Sequence, residues 1–285
     1  MKRKLIIPLV VLSVSAIFAT GCNNKKNKDL SSKHTESSTV ESSAKSNTAS
    51  KQVQKTNPPE TTVKETETSK ETSSSVAGGR SLKAKNETYT NANANITYPA
   101  ISDLKDEKKQ EMINKLLAKN VSSVVEAMKI DPSTTKLDIT SKIIGYDGRR
   151  LSVVYQGTLK NSDGTTKNIF FTNNIDTTSG KDLGLADFAD PKTMAGYILS
   201  DDVKLSGASE EVTKKFMETR FQRTLEDYVA ILSDSDFPLR LDSEGNFISF
   251  PQSFSYENNG KIYFTIPVSH ELGDFVTIVY SPDTK

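Results

Sequence analysis

Three regimes of hydrophobic and polar patterning divide the chain. Leu5–Phe18 is an almost continuous apolar run behind Lys2, Arg3 and Lys4. From Asn23 to about Lys85 apolar residues are scarce and no periodicity survives. From residue 86 onward apolar positions recur at regular spacing, and that spacing predicts folded elements. Met112, Leu116, Leu117, Val121, Val124, Val125 and Met128 recur mostly three or four residues apart, which predicts an amphipathic helix over 104–129 capped at Ser102-Asp103 and ended by Asp131-Pro132. Strands are expected over 137–146 and 150–159, joined at Asp147-Gly148, a hairpin signal. Asn161-Ser162-Asp163-Gly164 then turns the chain into a third strand over 168–176.

The second half follows a similar plan. Asp190-Pro191 opens a helix to about Leu199. Ser209 caps a longer one with Val212, Phe216, Leu225, Tyr228, Val229 and Leu232 on its apolar side. Strands follow near 237–241, 247–250, 261–267 and 275–280. Helix then strands, twice, predicts an α+β fold: antiparallel meanders packed against helices, in two similar-sized halves, 86–185 and 186–285.

Composition sharpens this division. Apart from Phe18, every aromatic residue lies at or after Tyr89. Residues 22–85 are rich in Ser, Thr, Lys, Glu and Asn, a composition too poor in apolar surface to offset ordering entropy, so they are read as a disordered linker. The folded head is read as 86–285, about 200 residues, enough for a sizeable core without disulfides. The whole chain carries a formal net charge of +1, but unevenly. Residues 23–85 hold 12 Lys+Arg against 7 Asp+Glu, whereas residues 86–285 hold 22 against 29. An acidic head argues against nucleic acid and favours a cationic partner.

The only cysteine, Cys22, ends Ile17-Phe18-Ala19-Thr20-Gly21-Cys22. A basic start, a short apolar run and small residues before the cut describe a secretory signal peptide, residues 1–21. The run is interrupted by Pro8 and falls short of the roughly 18 to 20 residues a membrane span needs. Small residues followed directly by cysteine resemble a bacterial lipobox, which implies that Cys22 is acylated and becomes the mature N-terminus. The expected protein is extracytoplasmic and tethered to the cell membrane by lipid on Cys22, two or more chains giving stable anchoring.

Little in the head points to catalysis. Of the two histidines, His34 falls in the linker and His270 stands alone after the 261–267 strand, without a Gly-x-Ser-x-Gly elbow elsewhere. Zinc chemistry wants several ligands in register, and the sequence supplies no such set. Neither a P-loop nor Gly-x-Gly-x-x-Gly is present, so no cofactor is expected. Three carboxylate clusters remain: Asp201-Asp202, Asp234-Ser235-Asp236 and Asp242-Ser243-Glu244-Gly245. They suit oxygen ligation of calcium or an acid pair for glycoside hydrolysis, but also plain turns, since Asp, Ser and Gly favour turns through local hydrogen bonds. Phe170-Phe171 suggests a sugar platform, yet adjacent strand residues face opposite ways, so one of the two is expected in the core.

Several short stretches resemble a known family. Ile96-Thr97-Tyr98-Pro99-Ala100-Ile101, ahead of the helix containing Ile113-Asn114, is similar to the opening of RsiV-like extracellular domains. Leu151–Tyr155, Asn174-Ile175-Asp176, Thr178–Leu183 and Ala186-Asp187-Phe188 continue the pattern, as do Phe247–Phe250, Gly260 and Phe264–Val268. That family includes the ectodomain of a lysozyme-sensing anti-sigma factor and a module attached to a peptidoglycan deacetylase. The resemblance implies a non-enzymatic wall-side binding module whose partner is lysozyme or peptidoglycan. Competing readings are a carboxylate-dependent enzyme acting on wall polymers and a structural envelope protein. Phe254–Asn259 replaces the Tyr-x-x-Ala-Pro-Tyr-like stretch common in the family, so that loop's role is not carried over. With only Met1–Lys4 ahead of the export signal, a cytoplasmic domain holding a sigma factor is not expected.

The anchor reading is checked by Cys22→Ala. The variant should lose palmitate labelling and be either shed or left unprocessed in the membrane. A variant still labelled and retained would contradict the lipobox.

Overall fold

Side-chain alternation builds the larger of two sheets. The computed structural model describes residues 71–74 and 82–282, so the signal peptide, Cys22 and residues 23–70 and 75–81 of the linker lie outside the described residues. Seven strands stand side by side in chain order: Glu71–Ser74 (β1), Leu82–Asn91 (β2), Ala94–Ile101 (β3), Lys136–Tyr146 (β4), Arg150–Lys160 (β5), Thr166–Asp176 (β6) and Lys181–Asp182 (β7). The β4–β5 and β5–β6 hairpins match their predicted bounds closely. Asp147 Oδ1 accepts from the amides of Arg149 and Arg150 at 2.8 and 2.7 Å, and Gly148 takes φ +93°, which favours glycine. On one face of these hairpins Leu137, Ile139, Ile143, Leu151, Val153, Tyr155, Phe171 and Ile175 are all buried.

That face is covered by Glu107–Ala127 (α1), which buries Ile113, Leu117, Val121, Val124 and Val125 at helical spacing. Full burial of side chains of this size contributes roughly 1.5–3 kcal/mol each. The cap is Asp106, not Ser102-Asp103: its carboxylate accepts from the Lys109 amide at 3.1 Å. Asp103 instead accepts from the Lys83 amide at 2.9 Å, which ties the chain ahead of the helix to β2. Asn114 fastens the helix to β3 by bonding both the N–H and the C=O of Ile101, at 2.7 and 2.9 Å. Because α1 crosses over the sheet, β3 and β4 run parallel, so the sheet is mixed and not wholly antiparallel. The fold class remains α+β. The linker boundary also moves: Leu82 and Ala84, read as linker, are buried in the core as part of β2.

A second, antiparallel sheet has the order β8-β11-β10-β9, from Lys204–Ser206 (β8), Ser255–Asn258 (β9), Lys261–Pro267 (β10) and Phe275–Tyr280 (β11). Ile262, Phe264, Ile266, Val276 and Ile278 point into its core. They meet short Leu185–Phe188 (α2), Pro191–Leu199 (α3), Glu210–Thr219 (α4) and Leu225–Ser233 (α5). The single long helix expected after Ser209 is two helices. Thr224 and Asp227 form a capping box that starts α5 afresh, and a turn of tighter helix at Arg220–Gln222 separates it from α4. The expected strands at 237–241 and 247–250 reduce to one bridge, Leu241 to Phe247, because this stretch leaves Leu241 and Ile248 exposed and joins no sheet.

The two halves are not independent. Phe237, Leu239 and Phe254 cross back into the first core, where Phe171 stacks on Tyr155 and meets Phe237, Phe250 and Phe254 at 6.0–6.3 Å. Asp236 sits at that crossing, buried and at φ +66°. Its carboxylate accepts from the Ser255 amide and hydroxyl of β9, both at 2.6 Å, and from the Leu185 amide of α2 at 2.9 Å. The Thr172 hydroxyl of β6 lies 3.3 Å away. Burial outweighs these hydrogen bonds and pushes the carboxyl up to about 6 from the usual 3.8.

Two predictions follow from this packing. Gly157 of β5 has no room for a side chain, since an added Cβ would fall on the Asp138 carbonyl oxygen and within 2.7 Å of the Ile139 Cα. Gly157→Ala should therefore cost more than about 2 kcal/mol in urea unfolding, through displaced backbone between β4 and β5. For Asp236 the folded state holds its proton more tightly than the unfolded chain, so this group's contribution to stability grows as pH falls from about 6 to about 4 and is flat above 6. The stability gap between the native protein and Asp236→Asn should widen by on the order of 3 kcal/mol between pH 7 and pH 4. A gap independent of pH would show that the buried carboxyl does not titrate in this range.

Candidate functional site

Where the two sheets approach each other, packing changes from dry to open. Both phenylalanines of Phe170-Phe171 are buried, because β6 is covered on both faces. Phe171 faces the α1 side, and Phe170 packs on Tyr256 of β9 and Phe275 of β11, with ring centres at 6.5 and 5.3 Å. Tyr256 in turn lies parallel to Tyr263 at 4.7 Å. Burial, helped by Tyr263, pushes the Tyr256 hydroxyl up to about 12, so it is a neutral donor and acceptor at physiological pH.

Beyond this contact the sheets diverge, leaving a groove of about 480 Å³. Its sheet wall comes from Thr140 and Lys142 of β4, Val154 and Gln156 of β5, and Phe170. Ser206, Tyr256 and Thr277 line the opposite side. The register explains the layout. Thr140 pairs with Gln156 and Lys142 with Val154, so these four share the face opposite α1. In the second sheet Ser206 pairs with Thr277, which places two hydroxyl residues in one row. The register of β4 shifts between Ile143 and Gly145, and Ile144 at this bulge adds an apolar group to the groove. No carboxylate is among the lining residues.

One residue further along β4 and β9, a smaller cavity of about 160 Å³ lies at Gly145, Ser152 and Glu257. There Arg150 pairs with both Asp147 and Glu257, tying β5 to β9. Across the structure, His270 Nδ1 contacts the Asp274 carboxylate at 3.0 Å, and Asp274 Oδ2 accepts from the Asn168 amide at 2.7 Å. This clasp joins the start of β6 to the start of β11.

The six acidic residues singled out by sequence are not brought together. Asp201 is fully exposed and pairs with Arg220 at 3.0 Å, and Asp202 is exposed in the same turn. Asp234 ends α5 and pairs with Arg240 at 2.7 Å. Asp236 is the buried junction described above. Asp242 accepts from the amides of Glu244 and Asn246, each at 2.9 Å, which closes a local turn and holds its carboxyl below the usual range. Glu244 is exposed at that turn. Turn chemistry therefore accounts for the third cluster, and no group of three or more metal-ligating side chains occurs among the described residues. Of the groove residues, Phe170 and Tyr256 fall within stretches the sequence singles out, Phe170-Phe171 and Phe254–Asn259, and the others do not. Their signal was the polar half of the β4–β5 alternation, Lys136, Asp138, Thr140 and Lys142 against Gln156, Thr158 and Lys160, which looks like any solvated strand face until the second sheet is set above it.

No family model and no curated protein matches the chain. Similar solved structures include a member of the DUF3298 family from Bacteroides fragilis, 13% identical with a TM-score of 0.39, the match covering 73% of this chain and 92% of that chain. Another is a DUF3298 family protein from Pseudomonas aeruginosa, 11% identical with a TM-score of 0.27, over 65% of this chain and 80% of that one. The structural neighbours are thus DUF3298 family proteins.

Proposed function

We propose that this chain is a cell-surface lipoprotein, tethered through Cys22, whose α+β head is a non-enzymatic binding module for peptidoglycan. The observation that carries this reading is the groove between the sheets. It is concave, of ligand size, and lined by hydroxyl, amide and ammonium groups together with apolar Phe170 and Val154 on one wall and the Tyr256 ring on the other. Such a lining offers reversible hydrogen bonding and contact for sugar C–H faces. An acid pair for glycoside hydrolysis is supported less well, because it needs two carboxylates facing one bond at a set separation. The acidic residues considered for it are spread over separate turns and one buried junction.

A second partner, lysozyme, is favoured by a different observation. Residues 86–285 carry 29 acidic against 22 basic side chains, and lysozymes are commonly cationic, so long-range attraction would steer the two together. The sequence resemblance to RsiV-like ectodomains points the same way.

Both partners are tested on the full chain in detergent. Cosedimentation with purified peptidoglycan sacculi should deplete the protein from the supernatant in a saturable way. Calorimetric titration with lysozyme at low salt and at 0.15 M should show heat that shrinks as salt rises, where the Debye length falls to about 8 Å. Absence of both signals would overturn the binding-module reading.

A further inference from the structure

We infer that the groove and the strand face continuing from it form a site for an anionic oligosaccharide, with Lys142 as the residue that selects the charge. This rests on the binding-module reading and names the ligand chemistry of the same site. The starting point is a local exception in an acidic head. On the face of β4–β5 away from α1, cross-strand pairs run Lys142–Val154, Thr140–Gln156, Asp138–Thr158 and Lys136–Lys160. Lys136, Thr140, Lys142, Gln156, Thr158 and Lys160 are all exposed. The one acid of this face, Asp138, is already paired with Lys136 at 2.6 Å. Lys142, at the groove itself, has no ion pair among the described residues. Across the groove, Lys204 lies two residues from Ser206 and so projects from the same face of β8. A ligand seated here meets several cations and no free carboxylate on this strand face.

Geometry separates a glycan from a peptide. An extended peptide gains most of its affinity by adding a strand to an unpaired sheet edge. The central strands of the groove offer none: β5 is paired by β4 and β6 across Gln156, and Thr277 of β11 lies between Ser206 and Thr265, while β8 and β9, which carry Ser206 and Tyr256, are the outer strands of the second sheet. On these central strands recognition must come from side chains, and the polyglutamate arm of the test below reads any strand addition at the outer ones. Gln156, Ser206, Thr277 and the neutral Tyr256 hydroxyl each donate and accept, which suits a polyol whose hydroxyls do the same. Reach also fits an oligomer. Lys142 and Lys136 are six residues apart on one strand, roughly 20 Å at about 3.3 Å per residue, so a ligand touching both spans several sugar units.

The test uses the full chain in detergent, titrated at low salt with an oligogalacturonate hexamer, an uncharged N-acetylglucosamine hexamer, poly(glycerol phosphate) and polyglutamate. The expected result is tighter binding of the uronate or the phosphate polyol than of the neutral sugar, weakening with salt, the two anionic arms showing whether carboxylate or phosphate is preferred. Lys142→Gln, an exposed change that leaves folding intact, should weaken the preferred anionic ligand about fivefold and leave the neutral sugar unchanged. Equal binding of neutral and anionic sugars, or an unaltered affinity in Lys142→Gln, overturns the proposal. Polyglutamate binding as tightly as the best glycan overturns its saccharide half. Sacculus binding separates the two levels: if Lys142→Gln still cosediments fully, the groove assignment fails while the binding module stands, and if the unaltered protein does not cosediment, the peptidoglycan reading itself fails.

Discussion

The fold turns on one buried carboxylate. A charged group taken out of water is tolerated only when its oxygens are filled with donors, and breaking such a set costs several kcal/mol. Asp236 meets that condition with donors from β9 and α2, and the Thr172 hydroxyl of β6 stands beside it. These elements are far apart in sequence and belong to both cores. Once the carboxylate is satisfied, β9 has no freedom to slide along the first sheet. The Ser255 carbonyl then accepts from Thr172 and Asn174, each at 2.7 Å, which repeats the same registration one bond further on.

The groove is a consequence of that registration. With β9 pinned against β6, one face of the second sheet is held over the first at its β6 side, where Phe170 packs on Tyr256 and Phe275. Both sheets twist, so surfaces in contact at one strand separate over the next two. Because α1 covers the opposite face, the hydrophobic residues of β4 and β5 point there and their polar partners are left to line the opening. Position and chemistry of the groove thus come from the same alternation. Arg150, bridging Asp147 and Glu257, holds the two layers together beyond its far end.

Parts of this architecture are legible in the sequence and parts are not, for identifiable reasons. The β4–β6 meander was legible because apolar alternation and two Asp-Gly turns, Asp147-Gly148 and Asp163-Gly164, agree with one another. The β2–β3 hairpin was missed because its exposed positions include Lys, Asn, Glu and Thr, which blend with the linker, and two of its buried positions, Ala84 and Ala94, are small, so that Leu82, Ile96 and Ile101 do not form a clear alternation. The break between α4 and α5 was written in Thr224 and Asp227, a capping box hidden inside a continuous apolar stripe. Asp236 was picked out for the wrong chemistry: its neighbours suggested a surface turn, and only the tertiary fold reveals Ser255 and Leu185 around it. The lining of the groove depends on which strand face the second sheet covers, and that information is in no local window.

Net charge and local charge give opposite advice about the partner, and distance decides between them. Net charge acts during approach, when the whole head is seen at once. Contact is governed by groups within a screening length of about 8 Å at physiological salt. An acidic head slows the encounter with an anionic polymer in free solution, yet in the proposed site the lysines of the β4–β5 face would meet such a polymer directly once it is seated. A tether changes which of these matters. If the head is held by Cys22 within reach of a fixed polymer, as proposed, the encounter would be effectively intramolecular, with a local concentration set by the linker, not by diffusion. Under the proposed tether the penalty on approach would lose weight, and the few cations on the strand face would decide the outcome. Repulsion elsewhere on the head would then help specificity, because it would discourage the polymer from settling anywhere but on that face.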